Sequence, residues 1–380
     1  MFEKELTTLR EQDQYRILKT ISQNNGREIN FGQKTYLNFS SNDYLGLAQP
    51  IQTISAQSGA GAAALVSGNQ SIHDELSKII SDWKQKERTL LFPSGFQANV
   101  AAVTGLTDKE TLILYDKLSH ASLIDGILLS GAKAFSYLHL NYQNLETKLE
   151  KFKDYPKKII VTDSIFSMDG DAADLKKLVQ LKKKYNALLI VDEAHGVGAY
   201  GATGAGLCEE QNVSQDVDVI VTTFSKAVGA QGGSISASHE IIDYLINFSR
   251  PYIFSTTLSP LLVLAVKNNI EIIRSDRGLK LKNKLKSNIN YFCQKAEEIG
   301  LKLISQSAIQ PLVIGSATEA KKAYEILLNK GIFIPLIRYP AVPKDSARLR
   351  LSLTAQHTEE DILKLVAALK PMGDIFKTND

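Results

Sequence analysis

The sequence predicts an α/β protein, in which a mainly parallel sheet covered by helices fills a large domain and a smaller α+β domain follows. Strand-like and helix-like segments alternate between residues 90 and 222, which is typical of parallel sheets with helical crossovers. Two strand-like segments, 187–191 and 217–222, are unbroken apolar runs, as in strands buried on both faces. A charged helical stretch at 274–286 separates the last part of the chain from this alternation.

The N-terminal segment, residues 1–45, is interpreted as an arm. Apolar positions spaced among charges predict a helix within residues 2–23, and a short strand is predicted at 35–40. A turn-rich segment at 38–46 ends the arm, since Asn, Asp and Gly form local hydrogen bonds and tolerate positive φ. The Gly- and Ala-rich residues 58–67 are either a flexible linker or an ordered segment that closely approaches a ligand or another chain.

The large domain is assigned to residues 46–275 and the small C-terminal domain to residues 276–380. In the large domain we predict a strand, turn and helix start at 90–99, helices at 72–83, 121–129 and 175–185, and strands at 111–115, 157–163, 187–191 and 217–222. In the small domain we predict strands at 311–314, 333–336 and 349–353, and helices at 319–328 and 358–369.

Composition excludes several classes of protein. The chain has 44 basic and 41 acidic residues, and this net charge of +3 is too small to indicate nucleic acid as the main partner. Cys208 and Cys293 are the only cysteines and belong to no Cys/His ligand pattern, so we expect neither a metal site nor a disulfide framework. No apolar run approaches the length of a membrane span or signal core, so we expect a cytoplasmic protein.

Polar side chains follow three of the predicted buried strands. Lys226 follows the strand at 217–222, Asp192 and His195 follow 187–191, and residues 163–169 follow the strand at 157–163. Open α/β sheets bind ligands outside the carboxyl ends of their strands, where a desolvated lysine can become a nucleophilic amine. A surface lysine and a loop-capping aspartate are the alternatives. Lysine, carboxylate and hydroxyl groups together indicate a pyridoxal phosphate site.

Two glycine motifs require separate interpretations. Gly95 and Phe96 stand where the strand at 90–92 turns into a helix, and a helix N-terminus with a nearby glycine can cradle a phosphate. Residues 196–201 match the GxGxxG pattern of dinucleotide-binding proteins. That pattern requires a helix to begin at once, whereas here a glycine-rich loop continues to Gly206. The sequence therefore does not favour a nicotinamide site.

The sequence resembles the α-oxoamine synthases, which are fold-type I pyridoxal phosphate enzymes that join an amino acid to an acyl thioester with loss of carbon dioxide. The resemblance covers nearly the whole chain and rests on motifs at residues 42–46, 94–96, 116–122, 191–196, 223–226 and 347–351. It implies a mainly parallel, seven-stranded sheet in the large domain and a homodimer with an active site at the interface. Motifs at 166–171, 307–312 and 337–343 most resemble the branch that condenses L-alanine with a pimeloyl thioester in biotin biosynthesis.

The resemblance also implies roles for the catalytic residues. Lys226 would hold pyridoxal phosphate through a Schiff base and move protons at the alanine Cα. Asp192 would keep the pyridine nitrogen protonated, His195 would bond the phenolic oxygen, and His120 would stack on the ring and contact the substrate. Further cofactor contacts near the phosphate are implied for Gly95, Phe96, Ser167 and Thr223 of the same chain, and for Thr256 of the partner subunit.

The implied substrate contacts lie elsewhere in the chain. Arg350 would pair with the alanine carboxylate, because its planar fork suits that group, and Asn42 would lie close by. Arg16 and Arg338 match positions near the acyl substrate, which would be carried by coenzyme A or an acyl carrier protein. Arg348 is assigned a structural role, since it precedes Arg350 on the same face of a strand.

Other readings of the sequence stay open. Glycine C-acetyltransferase is a sister enzyme with the same cofactor and smaller substrates, and a palmitoyltransferase of the sphingolipid type is a more distant one. A non-catalytic scaffold subunit of this fold is the alternative from another class, although it should have lost Lys226. Two segments depart from close relatives, the alanines at 62–64 and Ala341, and these bear on dimer and acyl-chain contacts.

Overall fold

The computed structural model describes residues 2–50 and 56–376. Its strands, in chain order, are β1 Gln23–Asn24, β2 Glu28–Phe31, β3 Lys34–Asn38, β4 Arg88–Phe92, β5 Thr111–Asp116, β6 Lys133–Tyr137, β7 Lys157–Asp163, β8 Leu188–Asp192, β9 Val219–Thr223, β10 Gly233–Ala237, β11 Ile309–Gly315, β12 Ile332–Phe333, β13 Leu336–Ile337 and β14 Ala347–Ser352.

The α-helices are α1 Glu3–Glu11, α2 Ser71–Lys84, α3 Gly95–Leu106, α4 Ala121–Ser130, α5 Tyr142–Lys151, α6 Leu175–Tyr185, α7 Leu207–Glu210, α8 His239–Phe248, α9 Arg250–Ile253, α10 Pro260–Arg274, α11 Asp276–Glu298, α12 Ala317–Asn329 and α13 Glu359–Leu369. The chain divides into two compact units. The larger unit contains residues 47–166 and 172–280, and the smaller contains residues 1–46, 167–171 and 281–380.

The larger unit is built on a seven-stranded sheet with the order β4-β10-β9-β8-β7-β5-β6. Strands β9, β8, β7, β5 and β6 are parallel, and β10 runs antiparallel to both of its neighbours. The apolar runs place side chains such as Ile160, Ile190 and Val221 in a core where each is at most 1% exposed. Burying each such side chain contributes about 2 kcal/mol, and the predicted mainly parallel sheet is confirmed.

The smaller unit has two sheets, with strand orders β1-β2-β3-β12 and β11-β14-β13. All seven residues of β11 and all six of β14 are buried. The strand β14 carries Arg348 and Arg350 into this interior, since both side chains belong to a continuous buried strand. Helix α13 begins with a capping box between Thr358 and Asp361, in which each side chain accepts from the other residue's backbone N–H.

One prediction about local structure is confirmed over a shorter range, and one is wrong. The helix predicted within residues 2–23 is present but ends at Glu11, and Leu18 is 97% exposed. The chain turns at Asp13, which has a φ of 53° and accepts hydrogen bonds from Lys321 and Thr318. The strand predicted at 333–336 is split into β12 and β13, because Pro335 lacks the N–H that a continuous strand requires.

Candidate active site

Three neighbouring parallel strands of the larger unit end at the same edge of the sheet. In the ladder Asp163 of β7 lies opposite Asp192 of β8, and Asp192 lies opposite Val221 of β9. The segments that leave these strand ends carry His195 and Lys226. The sequence-predicted residues at these ends of β8 and β9 are therefore brought together by strand register alone.

Lys226 and His195 are in direct contact. The Lys226 Nζ atom lies 2.7 Å from His195 Nε2. His195 is buried, and Lys226 is half-buried in the turn after β9, where its carbonyl accepts from Gly229 N–H at 2.8 Å. Gly229 has a φ of 67°, and a Cβ there would lie 2.4 Å from the backbone of Leu47. The turn that holds the lysine therefore requires glycine at this position.

Asp192 is a buried carboxylate with its own donors. Its Oδ2 accepts from Asn99 Nδ2 at 2.6 Å, and its Oδ1 accepts from the backbone N–H of Ala194 at 2.8 Å. Asp163 is also buried, and burial together with the charge of Asp192 raises its pKa well above the usual range. The edge of the sheet thus holds two carboxyl groups with different environments.

His120 stands at the N-terminus of helix α4, where its Nδ1 is 2.7 Å from Ser122 Oγ. Its backbone N–H donates to Asp163 Oδ2 at 3.0 Å. Burial lowers the pKa of His120, and the charge of Lys226 lowers it further, against the opposing effect of Asp192. The imidazole is thus held mainly neutral near pH 7.

The N-terminus of helix α3 packs directly on the end of β9. Ser94 caps the helix by accepting from Gln97 N–H, and a Cβ on Gly95 would lie 2.7 Å from Thr223 Cβ. Thr223 Oγ1 lies 2.9 Å from Ser225 Oγ. Free backbone N–H groups at the start of a twelve-residue helix, beside two hydroxyls, form a cradle that fits a phosphate.

The remaining predicted cofactor contacts on this unit are at the surface. Phe96 follows Gly95 in the first turn of α3 and is 48% exposed. Thr256 is exposed and forms an antiparallel bridge with Ala63, within the Gly- and Ala-rich segment. That segment is thus ordered where the structure describes it, including a five-residue π-helix at Ala64–Gly68.

In the smaller unit Arg350 is buried without a carboxylate partner among the described residues. Its Nε donates to the carbonyl of Ser167 at 2.5 Å, and its Nη1 donates to Asn42 Oδ1 at 3.0 Å and Ser352 Oγ at 2.9 Å. All three acceptors are neutral. Arg348, two residues earlier, instead forms an ion pair with Asp169 at 2.6 Å.

Arg16 and Arg338 lie near each other in the smaller unit. Arg16 Nη2 donates to the carbonyl of Tyr339 at 3.3 Å, and Arg338 donates to the carbonyls of Asp13 and Tyr15. Burial and the charge of Arg16 both lower the pKa of Arg338. Two cations with carbonyl partners form an electropositive surface that suits an anionic substrate group.

Sequence reasoning missed three side chains that organise the larger unit's site, namely Asn99, Ser122 and Glu193. Glu193 is fully buried and accepts from Ser164 Oγ, Leu207 N–H and Cys208 N–H. It thereby ties the end of β8 to the start of helix α7, which begins only after the glycine-rich loop. In each case the signal in the sequence was a polar residue within an apolar or glycine-rich run. Local pattern alone does not show which residue such a side chain will hydrogen-bond.

The described part of the chain contains no group of three or more His, Cys, Asp or Glu side chains arranged to hold a metal ion. None of the helices within residues 2–50 and 56–376 is both long enough and apolar enough to cross a membrane.

Comparisons with known proteins identify relatives over almost the full length. The family model for aminotransferase class I and II matches residues 34–369. A putative 8-amino-7-oxononanoate synthase from Bacillus cereus (strain AH820) is 41% identical over 367 residues, which cover 94% of this chain and 92% of the relative. An 8-amino-7-oxononanoate synthase from Cellvibrio japonicus is 39% identical over 374 residues, covering 96% and 93% of the two chains.

Solved structures show the same fold. A serine palmitoyltransferase from S. paucimobilis, determined with bound PLP, superposes with a TM-score of 0.91 at 25% identity, covering 98% of this chain and 96% of that chain. The 8-amino-7-oxononanoate synthase from Francisella tularensis superposes with a TM-score of 0.73 at 27% identity, covering 89% and 97%. Both comparisons include the larger and the smaller unit.

Proposed function

This chain belongs to the aminotransferase class I and II family as an α-oxoamine synthase, and we propose that it catalyses the reaction of an 8-amino-7-oxononanoate synthase. In that reaction L-alanine condenses with a pimeloyl thioester and carbon dioxide is lost. Relatives that are 39% and 41% identical carry this name. The serine palmitoyltransferase structure superposes with a higher TM-score than the 8-amino-7-oxononanoate synthase structure, 0.91 against 0.73, but at 25% identity it is more distant in sequence than the named relatives.

The larger unit supplies the groups that a pyridoxal phosphate enzyme needs. Pyridoxal phosphate, when bound, supplies an electron sink that stabilises negative charge at the amino acid's Cα. Lys226 would anchor the cofactor, Asp192 would pair with its ring nitrogen, and His195 would contact its phenolic oxygen. The start of α3 and the Thr223 hydroxyl would hold the phosphate, and glycine at position 95 allows this close approach, since a Cβ there would lie 2.7 Å from Thr223 Cβ.

Lys226 is also assigned the movement of the proton at the alanine Cα. Its Nζ lies 2.7 Å from His195 Nε2, so the imidazole can hold the amine in place or exchange a proton with it. His120 would cover the cofactor ring with a neutral imidazole face. The remaining proposed cofactor contacts are Phe96 and Ser167 of the same chain and Thr256 of the partner subunit.

The observation that carries the amino-acid half of the proposal is the buried, unpaired charge of Arg350. Burying a guanidinium that has only neutral acceptors costs desolvation free energy, and a carboxylate ligand would offset this cost. We therefore assign Arg350 the alanine carboxylate and Asn42 the orientation of the guanidinium. Arg16 and Arg338 are assigned the anionic part of the acyl substrate or its carrier.

Glycine C-acetyltransferase is the second candidate, since it would use the same cofactor groups and the same carboxylate contact. The identity to named relatives favours the alanine and pimeloyl reaction. Coenzyme A and an acyl carrier protein are both compatible with the charges of Arg16 and Arg338. We further propose that the enzyme is a cytoplasmic homodimer, as the resemblance to the family implies.

The test of the cofactor assignment is optical. Purified protein incubated with pyridoxal phosphate is expected to show a visible absorbance band that is lost in Lys226→Ala and kept in Lys109→Ala, a control at an exposed lysine. A protein that stays colourless and takes up no cofactor would support the scaffold alternative and refute the enzyme assignment.

A further inference from the structure

A continuous hydrogen-bonded chain joins Asp192 to His120 inside the larger unit. Asn99 Nδ2 lies 2.6 Å from Asp192 Oδ2 and 2.8 Å from Ser122 Oγ. Ser122 Oγ in turn lies 2.7 Å from His120 Nδ1. Asn99 is 3% exposed and Ser122 is fully buried, so solvent does not compete for these contacts.

The direction of each hydrogen bond follows from counting protons. The carboxylate of Asp192 can only accept, so the amide nitrogen of Asn99 must face it. The two amide hydrogens of Asn99 are then both used, one on Asp192 and one on Ser122 Oγ. The opposite amide orientation would place Asn99 Oδ1 against the carboxylate, and this oxygen has no hydrogen-bond partner where it stands.

The hydroxyl of Ser122 has one hydrogen left to donate. Since its oxygen accepts from Asn99, the acceptor that remains for this hydrogen is His120 Nδ1. The backbone N–H of Ser122 also points at His120 Nδ1, at 3.3 Å. Two donors directed at one ring nitrogen leave no place for a proton on it, so the ring's proton must be on Nε2.

We propose that Asn99 and Ser122 are positioning residues that fix His120 as the neutral tautomer protonated on Nε2 and connect it to the carboxylate of Asp192. This inference rests on the proposed function, because its consequence concerns the cofactor. A cofactor ring protonated beside Asp192 carries positive charge, and an imidazolium stacked on it would repel that charge. A neutral imidazole avoids the repulsion and keeps an Nε2–H available as a donor.

The charges around His120 act in both directions. Asp192 and Asp125 favour a protonated imidazole, whereas burial and Lys226 disfavour it. Asp163 accepts the backbone N–H of His120, and burial together with the charge of Asp192 raises the pKa of this carboxyl. Donation from Ser122 to the ring nitrogen adds to the effects that hold the ring neutral.

The test is nitrogen-15 NMR of histidine ring nitrogens in the holoenzyme, with Ser122→Ala, Asn99→Asp and the control Ser130→Ala on the same helix. We expect wild-type His120 to show an unprotonated Nδ1 and a protonated Nε2. Ser122→Ala should mix the tautomers and raise the pKa of His120 by about one unit, whereas Ser130→Ala should change neither. Asn99→Asp keeps the shape of the side chain but sets two carboxyl groups against each other, so it should shift the pH dependence of the cofactor absorbance band.

Each outcome decides between the two proposals. A holoenzyme whose His120 carries its proton on Nδ1 overturns the positioning role and leaves the enzyme assignment standing. Unchanged His120 resonances in a folded Ser122→Ala holoenzyme also overturn it. A wild-type protein that takes up no pyridoxal phosphate refutes the proposed function instead, and the tautomer measured in that protein still tests the positioning role.

Discussion

The two buried arginines of β14 differ in their charge environment, and replacing each of them with methionine tests this difference. Arg350 donates to three neutral oxygens, whereas Arg348 is paired with Asp169. Methionine keeps an unbranched chain in each position and removes the charge. The two substitutions are matched controls, because the positions are two residues apart on one buried strand.

The magnitudes follow from what each substitution leaves behind. Arg350→Met gives up three hydrogen bonds from a charged donor, of about 1.5 kcal/mol each, but also removes an unpaired buried charge, which costs several kcal/mol. We expect the free energy of unfolding to change by less than about 1 kcal/mol. Arg348→Met leaves the Asp169 carboxylate, which is only 14% exposed, without its ion-pair partner, so we expect a loss of about 3 kcal/mol.

The order reverses for catalysis. If Arg350 binds the alanine carboxylate through two charge-assisted hydrogen bonds of about 1.5 kcal/mol each, its loss costs about 3 kcal/mol, or roughly 150-fold in kcat/KM for alanine. Denaturant unfolding and steady-state kinetics of both variants measure the two effects. Arg350 does not bind the alanine carboxylate if Arg350→Met unfolds as easily as Arg348→Met while its kcat/KM for alanine is unchanged.

Three further predictions concern pH and the phosphate cradle. Burial lowers the pKa of His357 to about 4, so the unfolded chain binds a proton first as the pH falls. The free energy of unfolding should therefore drop by about 2 kcal/mol between pH 7 and pH 5. In urea unfolding, His357→Gln should lack this dependence of stability on pH. Burial raises the pKa of Asp361, but hydrogen bonds from Arg27 and Thr358 outweigh it and bring the value to about 2. Asp361→Asn should therefore be less stable by about 2 kcal/mol at pH 7, and acid titration should show this difference vanishing between about pH 4 and pH 2. Gly95→Ala should displace the start of α3 and weaken pyridoxal phosphate binding about tenfold in an absorbance titration, since one backbone hydrogen bond is worth about 1.4 kcal/mol; unchanged affinity would remove α3 from the phosphate site.

The elements that could be predicted from the sequence are those in which a run of consecutive apolar residues indicates a buried strand. The apolar run of β7 gives the same limits, 157–163, in prediction and structure. The antiparallel strand β10 escaped prediction, because its small residues Gly-Ser-Ile-Ser-Ala show no strong apolar pattern and are buried only by the neighbouring strands. The sequence did not define where the N-terminal helix ends. Asp13 turns the chain through contacts with residues some 300 positions away, and local pattern does not reveal such contacts.

The candidate site shows the same division between local and long-range information. Lys226 and Asp192 were found because each follows an apolar strand, and parallel register then brings these strand ends together. Asn99 carried no comparable signal, since its role depends on two partners, Ser122 and Asp192, that are distant in sequence. Whether Arg350 has a buried counter-charge likewise depends on which side chains fold around it. Residue type predicted the chemistry, and only the fold shows which hydrogen bonds are already used.

The proposed reaction can be tested by a turnover assay of the holoenzyme with L-alanine or glycine, each combined with pimeloyl or acetyl thioester. Release of carbon dioxide and of the free thiol are followed together, with Lys226→Ala as the inactive control. We predict the highest kcat/KM for L-alanine with pimeloyl thioester. Preference for glycine with acetyl thioester would contradict the proposed function and assign the chain to the glycine C-acetyltransferase reaction.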